Sequence, residues 1–262
     1  MVLTLISWNT KGLLERMKNG ELTSLLRHNP EIVCFQETGF CLPDTVEKLN
    51  LPHGYSAWFS PKVSQGSCGV GMIARIHPAS VSFASPEVGK EGEGRLMTAE
   101  FRDFSLINTY IPPGDEKHTA MQEKLSFLDH VLDTVGVLRN KGRPVIVGGD
   151  LSVAHTDLDL WNFGNHYPLH CGTTPEERSR LDQLIRMGFS DTFRLFSSQP
   201  GAYTWRQKGN GLRHRERGLR LDYFFASADL KDRVLGSSIL HGTHGSSHSP
   251  IILELEIPEQ ES

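Results

Sequence analysis

An α/β or α+β sandwich, two β-sheets packed together with helices outside, is the fold class this sequence predicts, on three observations. Short β-rich segments recur along the chain and end in polar residues. Amphipathic helices lie between them. No Gly/Ser linker, low-complexity stretch or internal repeat divides the 262 residues. The strands are too many for a helical bundle, and the chain reads as one continuous domain, residues 1–262.

The elements follow in order. Leu3-Thr4-Leu5-Ile6-Ser7-Trp8-Asn9 is an apolar run with a polar end, the signature of a buried strand. A short helix over Glu21 to His28 stops at Asn29-Pro30, because proline disfavours a helical conformation in the residue before it. Ile32-Val33-Cys34-Phe35-Gln36-Glu37 is a second strand, and Gly69 to Ile76, Leu96 to Phe101 and Ser105 to Tyr110 are further candidates. Between Lys117 and Arg139, Met121, Leu125, Leu128, Leu132 and Val135 recur every three or four residues with charges between them, which predicts a long amphipathic helix. Pro144-Val145-Ile146-Val147-Gly148-Gly149-Asp150 is another buried strand. Thr173-Thr174-Pro175-Glu176-Glu177 then opens a helix, since a capping hydroxyl, an early proline and early acids suit its free N–H groups. That helix puts Leu181, Leu184 and Ile185 on one face and ends near Gly188, and the strands Leu221 to Ala226 and Ile251 to Ile257 complete the set.

Composition excludes several classes. Hydrophobic residues at 38% and charged residues at 22%, of both signs, do not describe a disordered tail. No apolar run approaches the roughly 20 residues of a membrane span. The start, Met1 to Ile6, lacks the basic region and cleavage site of a signal peptide. A soluble, intracellular protein with no membrane partner is the expectation. Cys34, Cys41, Cys68 and Cys171 have no metal-ligand spacing and are too few for a disulfide framework. The net charge, 27 − 31 = −4, gives no hint of a polyanionic partner. Locally the balance inverts: Arg206, Lys208, Arg213, Arg215, Arg217 and Arg220 face only Glu216, which is +6 − 1 = +5 in 15 residues. Gly209, Asn210 and Gly211 mark that stretch as a loop, and such a loop would track phosphates. Lys62 to Gln65 is a smaller candidate of the same kind.

Glu37, Asp150 and Asp222 each sit at or beside the end of an apolar, strand-like run. Strands generally end in polar residues facing water, but three carboxylates delivered to one sheet edge would make a hard oxygen site suited to Mg²⁺. These acids belong to a series of ordered blocks: Ser7-Trp8-Asn9 with Gly12, Gln36-Glu37-Thr38, Gly69-Val70-Gly71, Gly94-Arg95 and Asn108-Thr109-Tyr110-Ile111-Pro112. Next come Gly149-Asp150-Leu151-Ser152-Val153-Ala154-His155, Thr174-Pro175-Glu176-Glu177-Arg178, Asp191-Thr192-Phe193-Arg194 and Tyr203-Thr204-Trp205. Gly218-Leu219-Arg220-Leu221-Asp222-Tyr223 and Ser247-His248-Ser249-Pro250 end the series. Nearly end to end, it resembles the exonuclease III and AP endonuclease branch of the DNase I-like (endonuclease/exonuclease/phosphatase) superfamily.

The resemblance implies a four-layer sandwich of two packed mixed sheets flanked by helices, with the site at one sheet edge. It implies hydrolysis of a DNA phosphodiester 5′ of an abasic nucleotide or at a 3′ end, in base excision repair, leaving a 3′-hydroxyl and a 5′-phosphate. Such an enzyme is expected as a monomer on duplex DNA, in the cytoplasm at the nucleoid or in a eukaryotic nucleus. By the same resemblance Glu37 would be the main ligand of Mg²⁺, with Mn²⁺ as an alternative, and Asn9 would stand beside it. Asp150 would orient or deprotonate the attacking water, His248 held by Asp222 would hydrogen-bond the phosphate, and Tyr110 would support the phosphate or the leaving oxygen. Trp205, Leu219 and Leu221 would line a pocket for a flipped-out sugar without a base. These types suit the reaction, because charge that grows on an attacked phosphate needs a dication and a hydrogen-bond donor.

Two departures stand inside the inferred site. Ser152 replaces the family's usual Asn, and Ser247, in the metal-site position, replaces the usual Asp; a serine has neither the reach of an amide nor a carboxylate's charge. Lys11 and Pro113 also replace polar or acidic residues of the family pattern. Lys11 either supplies charge that a second ion provides in relatives, or faces solvent or a DNA phosphate. The competing functional readings are a DNA-binding member that no longer cuts and a phosphoesterase of small molecules or lipids.

Overall fold

The computed structural model describes residues 1–39, 51–60, 69–83, 94–114, 118–161, 172–206 and 218–258. Lys208, Arg213, Arg215, Arg217, the Lys62–Gln65 stretch and Cys41, Cys68 and Cys171 lie outside the described residues.

Alternation along the central strands decides the architecture. In β1 (Val2–Asn9), Leu3 and Leu5 face one layer and Ile6 and Trp8 the other, and all four are fully buried. In β2 (Ile32–Gln36), Ile32 and Cys34 likewise lie opposite Val33 and Phe35. A strand buried on both faces must lie between two layers. β1 pairs parallel with β2 and antiparallel with β14 (Ile251–Glu256). With β13 (Val234–Ile239), β4 (Val70–Ala74) and β3 (Ser56–Phe59) they form a six-stranded sheet in the order β13-β14-β1-β2-β4-β3. The second sheet contains β5 (Ser80–Phe83), β6 (Leu96–Glu100), β7 (Ser105–Tyr110), β8 (Val145–Asp150), β12 (Asp222–Ser227) and β9 (Phe189–Asp191), in that spatial order, with β7 and β8 parallel. β10 (Trp205–Arg206) and β11 (Gly218–Leu219) form a separate ribbon.

Leu3, Leu5, Ile32 and Met72 of the first sheet meet Met97, Leu106, Ile146 and Phe224 of the second. Burying each such side chain contributes about 1.5–3 kcal/mol. α1 (Leu13–Lys18) and α2 (Glu21–Leu26) cover the outside of the first sheet through Leu13, Leu22 and Leu25. α3 (His118–Asn140) and α4 (Pro175–Arg186) cover the second through Leu128, Val131, Val135, Leu181 and Leu184. The four-layer sandwich is thus present. At α4 the Thr174 hydroxyl accepts the Glu177 N–H and the Glu177 carboxylate returns to Thr174 N, a capping box. Ile185 corrects the expected face: it is 38% exposed, because each residue advances about 100° round the helix and carries it off the Leu181–Leu184 stripe. Among the described residues no helix is long and apolar enough to cross a membrane.

The layer between the sheets changes character along its length. Beyond Leu5 the inward positions of β1 are Ser7 and Asn9; beyond Cys34 comes Gln36; beyond Leu106 come Asn108 and Tyr110; beyond Ile146, two residues at a time, comes Asp150. Gln36 Nε2 donates to Asn108 Oδ1 at 2.7 Å and to Ser7 Oγ at 3.0 Å, and Asn108 Nδ2 donates to Gly71 O at 2.9 Å. These amides tie the two sheets together and satisfy buried polar groups. Past them the sheets open to the site.

Candidate active site

β1, β2 and β8 each end at this edge on a polar residue and leave through an unusual backbone turn. Lys11, Glu37 and Ser152, just beyond β1, β2 and β8, have φ of 48°, 48° and 51°. A non-glycine residue in this region is uncommon, and such residues gather at functional sites. Gly149 has φ 127°, and a Cβ there would lie 2.0 Å from Thr109 O, so only glycine lets β8 approach β7 just before Asp150. Tyr110 pairs in register with Asp150, and Asp150 with Asp222, so these three side chains are neighbours by strand pairing alone.

Asn9 joins the two sheets at this edge. Its Nδ2 donates to Glu37 Oε1 and to Asp150 Oδ2, both at 2.9 Å. Asn9 therefore stands beside Glu37 and turns its amide nitrogen, not an oxygen, to the carboxylates. The other oxygen of Asp150 accepts from Ser152 N at 2.8 Å and Ser152 Oγ at 3.1 Å, so Ser152 holds Asp150 with both its N–H and its hydroxyl.

His248 lies across from this pair. Its Nδ1 is 2.9 Å from Asp222 Oδ2 and its Nε2 is 3.9 Å from Asp150 Oδ2. Burial disfavours the imidazolium, but the charges of Asp222 and Asp150 outweigh it and raise the His248 pKa above its ordinary value. Burial also pushes Asp150 up to about 6, with Asp222 adding to the effect. Tyr110 is raised by burial and by Glu37 and Asp150, against Arg95, whose guanidinium lies 4.6 Å from the ring centroid. Its phenol remains a proton donor. The imidazole is placed from behind: Trp8 Nε1 donates to His248 O at 3.0 Å, and Ser246 Oγ donates to Asn9 O at 2.7 Å while accepting the His248 N–H.

These groups open into a cavity of about 380 Å³ lined by Lys11, Glu37, Tyr110, Pro113, Asp150, Ser152 and His248 on its polar side. Trp205, Leu219 and Leu221 form an apolar wall. Thr204 fixes that wall, since its Oγ1 accepts Leu221 N at 2.9 Å and Asp222 N at 3.1 Å, and its carbonyl accepts Ser249 N at 2.6 Å. The Arg206 N–H bonds Ser247 O at 3.1 Å beside this wall. Ser247 is not among the lining residues, and its Oγ is buried without a hydrogen-bond partner among the described residues. Arg220 corrects the charge count of the basic stretch. It is 1% exposed and held by Asp159 and Asp191, so the stretch offers at most +5 − 1 = +4 to a polyanion.

Lys124, Glu177 and Ser246 were not singled out from sequence as parts of this region. Lys124 stands in phase with the apolar stripe of α3, four residues before Leu128, and a charge at that phase was the available signal. Ser246 carried none.

A mouth with carboxylates and an imidazole on one side and an apolar wall on the other suits attack on an anionic ester next to an uncharged ring. Residues 6–248 match the Endonuclease/Exonuclease/phosphatase family. A DNA repair nuclease APEX1 from Danio rerio is 34% identical over 258 residues, 96% of this chain and 81% of the relative. An exodeoxyribonuclease from Bacillus subtilis (strain 168) is 31% identical over 97% of this chain and 99% of its own. The structure of an AP endonuclease from Archaeoglobus fulgidus superposes with a TM-score of 0.79 at 25% identity, covering 97% of this chain and all of that one. With its blocks in order, its two mixed sheets and its site at their shared edge, the chain belongs to the endonuclease/exonuclease/phosphatase family, on the exonuclease III and AP endonuclease branch.

Proposed function

We propose that this protein is a DNA repair nuclease that hydrolyses the phosphodiester 5′ of an abasic nucleotide or at a DNA 3′ end. The observation that carries the reading is one cavity joining Asp150, Glu37 and His248 to the apolar wall of Trp205, Leu219 and Leu221. Relatives named as a DNA repair nuclease, an exodeoxyribonuclease and an AP endonuclease support it.

The donor set fits a hard dication. Glu37 and Asp150 bring carboxylate oxygens to the same Asn9 amide nitrogen, and Asp222 Oδ1 is buried with no hydrogen-bond partner among the described residues. Single atoms of Asp150, Asp222 and His248 also lie within 4.8 Å of one another. Nδ1 of His248 is already engaged by Asp222, so we assign the metal to the Glu37 side, as Mg²⁺ or Mn²⁺. Ser247 is left out of the set because its hydroxyl is shut away from the cavity. A bound dication would offset the charge that grows on the phosphate oxygens.

The protein's own groups do the rest. Asp150, its two oxygens steadied by Ser152 and Asn9, orients a water and accepts its proton. His248, oriented by Asp222, donates from Nε2 to a phosphate oxygen, and the Tyr110 hydroxyl supports the phosphate or the leaving oxygen. Lys11, exposed at the rim and close enough to disfavour the His248 cation, faces the incoming DNA phosphate. Trp205, Leu219 and Leu221 receive the ring without a base, whose extrusion is least costly because no base needs unstacking. Arg206, and with it Lys208, Arg213, Arg215 and Arg217, would track the backbone.

The test is a labelled abasic duplex incubated with Mg²⁺, Mn²⁺ or chelator. Product ending in a 3′-hydroxyl and a 5′-phosphate, abolished by chelator, is expected. Product formed equally well in chelator would exclude the metal requirement, and binding without cleavage in every condition would exclude the nuclease.

A further inference from the structure

Lys124 on α3 and Glu177 on α4 have side chains with 0% exposure, and Lys124 Nζ lies 2.5 Å from Glu177 Oε1. Taking two charges out of water is unfavourable for each ion, and two apolar residues would fill such a space without that cost. Burial raises the Glu177 carboxyl, but the Lys124 ammonium and backbone donors outweigh it and hold its pKa low. Other hydrogen bonds of the pair reach backbone groups beside β7 and β8 and at the start of α4, and Glu177 also accepts the Thr174 hydroxyl at 2.8 Å. Lys124 Nζ donates to Ser152 O at 2.7 Å and to Pro113 O at 3.4 Å, while Glu177 accepts Gly172 N at 2.8 Å and Thr174 N at 2.9 Å. Pro113 and Ser152 line the cavity, so the ammonium lies directly behind its wall. A Cβ on Gly172 would stand 3.1 Å from Ser152 O, which hems that carbonyl in from the other side.

The geometry points to Lys124 and Glu177 as positioning residues for Asp150, acting through the backbone of Ser152; this rests on the reading of Asp150 as the group that accepts the water's proton. Ser152 is left-handed, a conformation that strains a residue with a Cβ. In it, the N–H reaches back to Asp150 Oδ1 at 2.8 Å while the carbonyl points away to Lys124. Holding both groups of one residue fixes its φ and ψ. With the ammonium gone, Ser152 relaxes toward an ordinary conformation and its N–H leaves the carboxylate.

The charge-neutral replacement Lys124→Met/Glu177→Gln avoids stranding a buried ion, and its fold is checked by urea denaturation. Single-turnover cleavage is compared in two backgrounds, Ser152 and Ser152→Gly; glycine adopts the left-handed turn without strain and keeps the N–H. In the Ser152 background the replacement is expected to lower kcat about 10- to 100-fold with KM unchanged. In the glycine background the further loss is expected to stay under about threefold. Equal losses in both backgrounds, or none with Ser152, would overturn the positioning role. Should that pair not fold, Lys124→Leu/Glu177→Met serves the same comparison. The amide proton of Ser152, read by NMR on the full chain, is expected to move upfield in the replacement. An unmoved resonance overturns the inference even in a chain that cuts no DNA, which separates it from failure of the nuclease reading.

Discussion

Two pairs of buried aspartates sit a few residues apart in this fold, and they are neutralised in opposite ways. Asp159 and Asp191 share Arg220, whose Nε lies 2.7 Å from Asp159 Oδ1 and whose Nη1 and Nη2 lie 3.1 and 2.6 Å from the two oxygens of Asp191. Arg194 adds a second contact to Asp159, so two carboxylates meet two permanent cations. Asp150 and Asp222 share only His248, with Glu37 close by, and no permanent cation is buried with them among the described residues. Burial works against Asp159, yet Arg220 and Arg194 bring its pKa below the ordinary carboxylate range, whereas Asp150 is pushed up to about 6. A fixed guanidinium makes a buried carboxylate structural. Leaving one short of positive charge keeps it reactive, at a cost in stability that a bound cation can offset.

Removing the reactive carboxylate separates the two clusters most sharply. Asp150→Asn is expected to lower single-turnover cleavage about 10²- to 10⁴-fold, the range for loss of a general base. In the same variant the melting temperature should hold or rise, since an amide is buried where a charge was. A variant that lost activity and stability together would place Asp150 with the structural aspartates instead.

Arg220→Met should do the reverse. Taking away one partner strands Asp159 and Asp191 and is expected to destabilise the fold by about 3–5 kcal/mol in urea titration. Adding Asp159→Asn and Asp191→Asn should recover most of that loss, because no uncompensated charge is then left buried. A mild effect of Arg220→Met alone would show the cluster to be more open to water than its 1% exposure implies.

The pH dependence should carry opposite signs. The folded pKa of Asp150 is raised, so its contribution to stability is present below the ordinary carboxylate pKa and is lost as pH rises through about 6. The folded pKa of Asp159 is lowered, so its contribution is present above the ordinary value and is lost as pH falls through the lowered one. In chelator, the stability of Asp150→Asn minus that of the parent should be near zero in acid and grow to about 3 kcal/mol above pH 6, the equivalent of the shift from 3.8. Cleavage needs the Asp150 anion and should fall as pH drops, at a lower pH than the stability change in chelator because a bound dication favours the anion. A difference independent of pH would show that Asp150 ionises normally.

The same contrast explains what the sequence could and could not reveal. Glu37 follows the end of β2 and Asp222 opens β12, so both are legible as acids beside an apolar run; Asp150 ends one, and a strand's alternation places it on the same face as the core before it. Strands buried on both faces, such as Val145–Asp150, were legible for the same reason. β13 was not: it is an edge strand with Gly236 and two serines, and Leu235 faces solvent, so no buried face imprints a period on it. α1 starts after Gly12 with no side-chain cap and is only 6 residues long. Arg220 was counted with its basic neighbours because charge alone does not distinguish an exposed arginine from one held by aspartates 61 and 29 positions away. Glu177 was read as an early acid of a helix, and its fully buried partner on α3 is set by tertiary packing, which no local pattern encodes.

Ser152 gives the finest test, because it stands where the family pattern has an amide and yet touches the reactive carboxylate twice. Its Oγ lies 3.1 Å from Asp150 Oδ1 and 3.2 Å from Ile111 O, and a hydroxyl has one proton to give. The backbone N–H, at 2.8 Å, is the shorter contact and survives any side-chain change. Ser152→Ala should therefore slow cleavage only about three- to tenfold, the worth of one hydrogen bond, and leave DNA binding unchanged. Ser152→Asn should change the rate by no more than about tenfold in either direction, because the backbone already holds Asp150. A gain of several hundredfold from the asparagine would mean that the serine had left the carboxylate loose, and that the reactive cluster of this chain had drifted from catalysis toward binding.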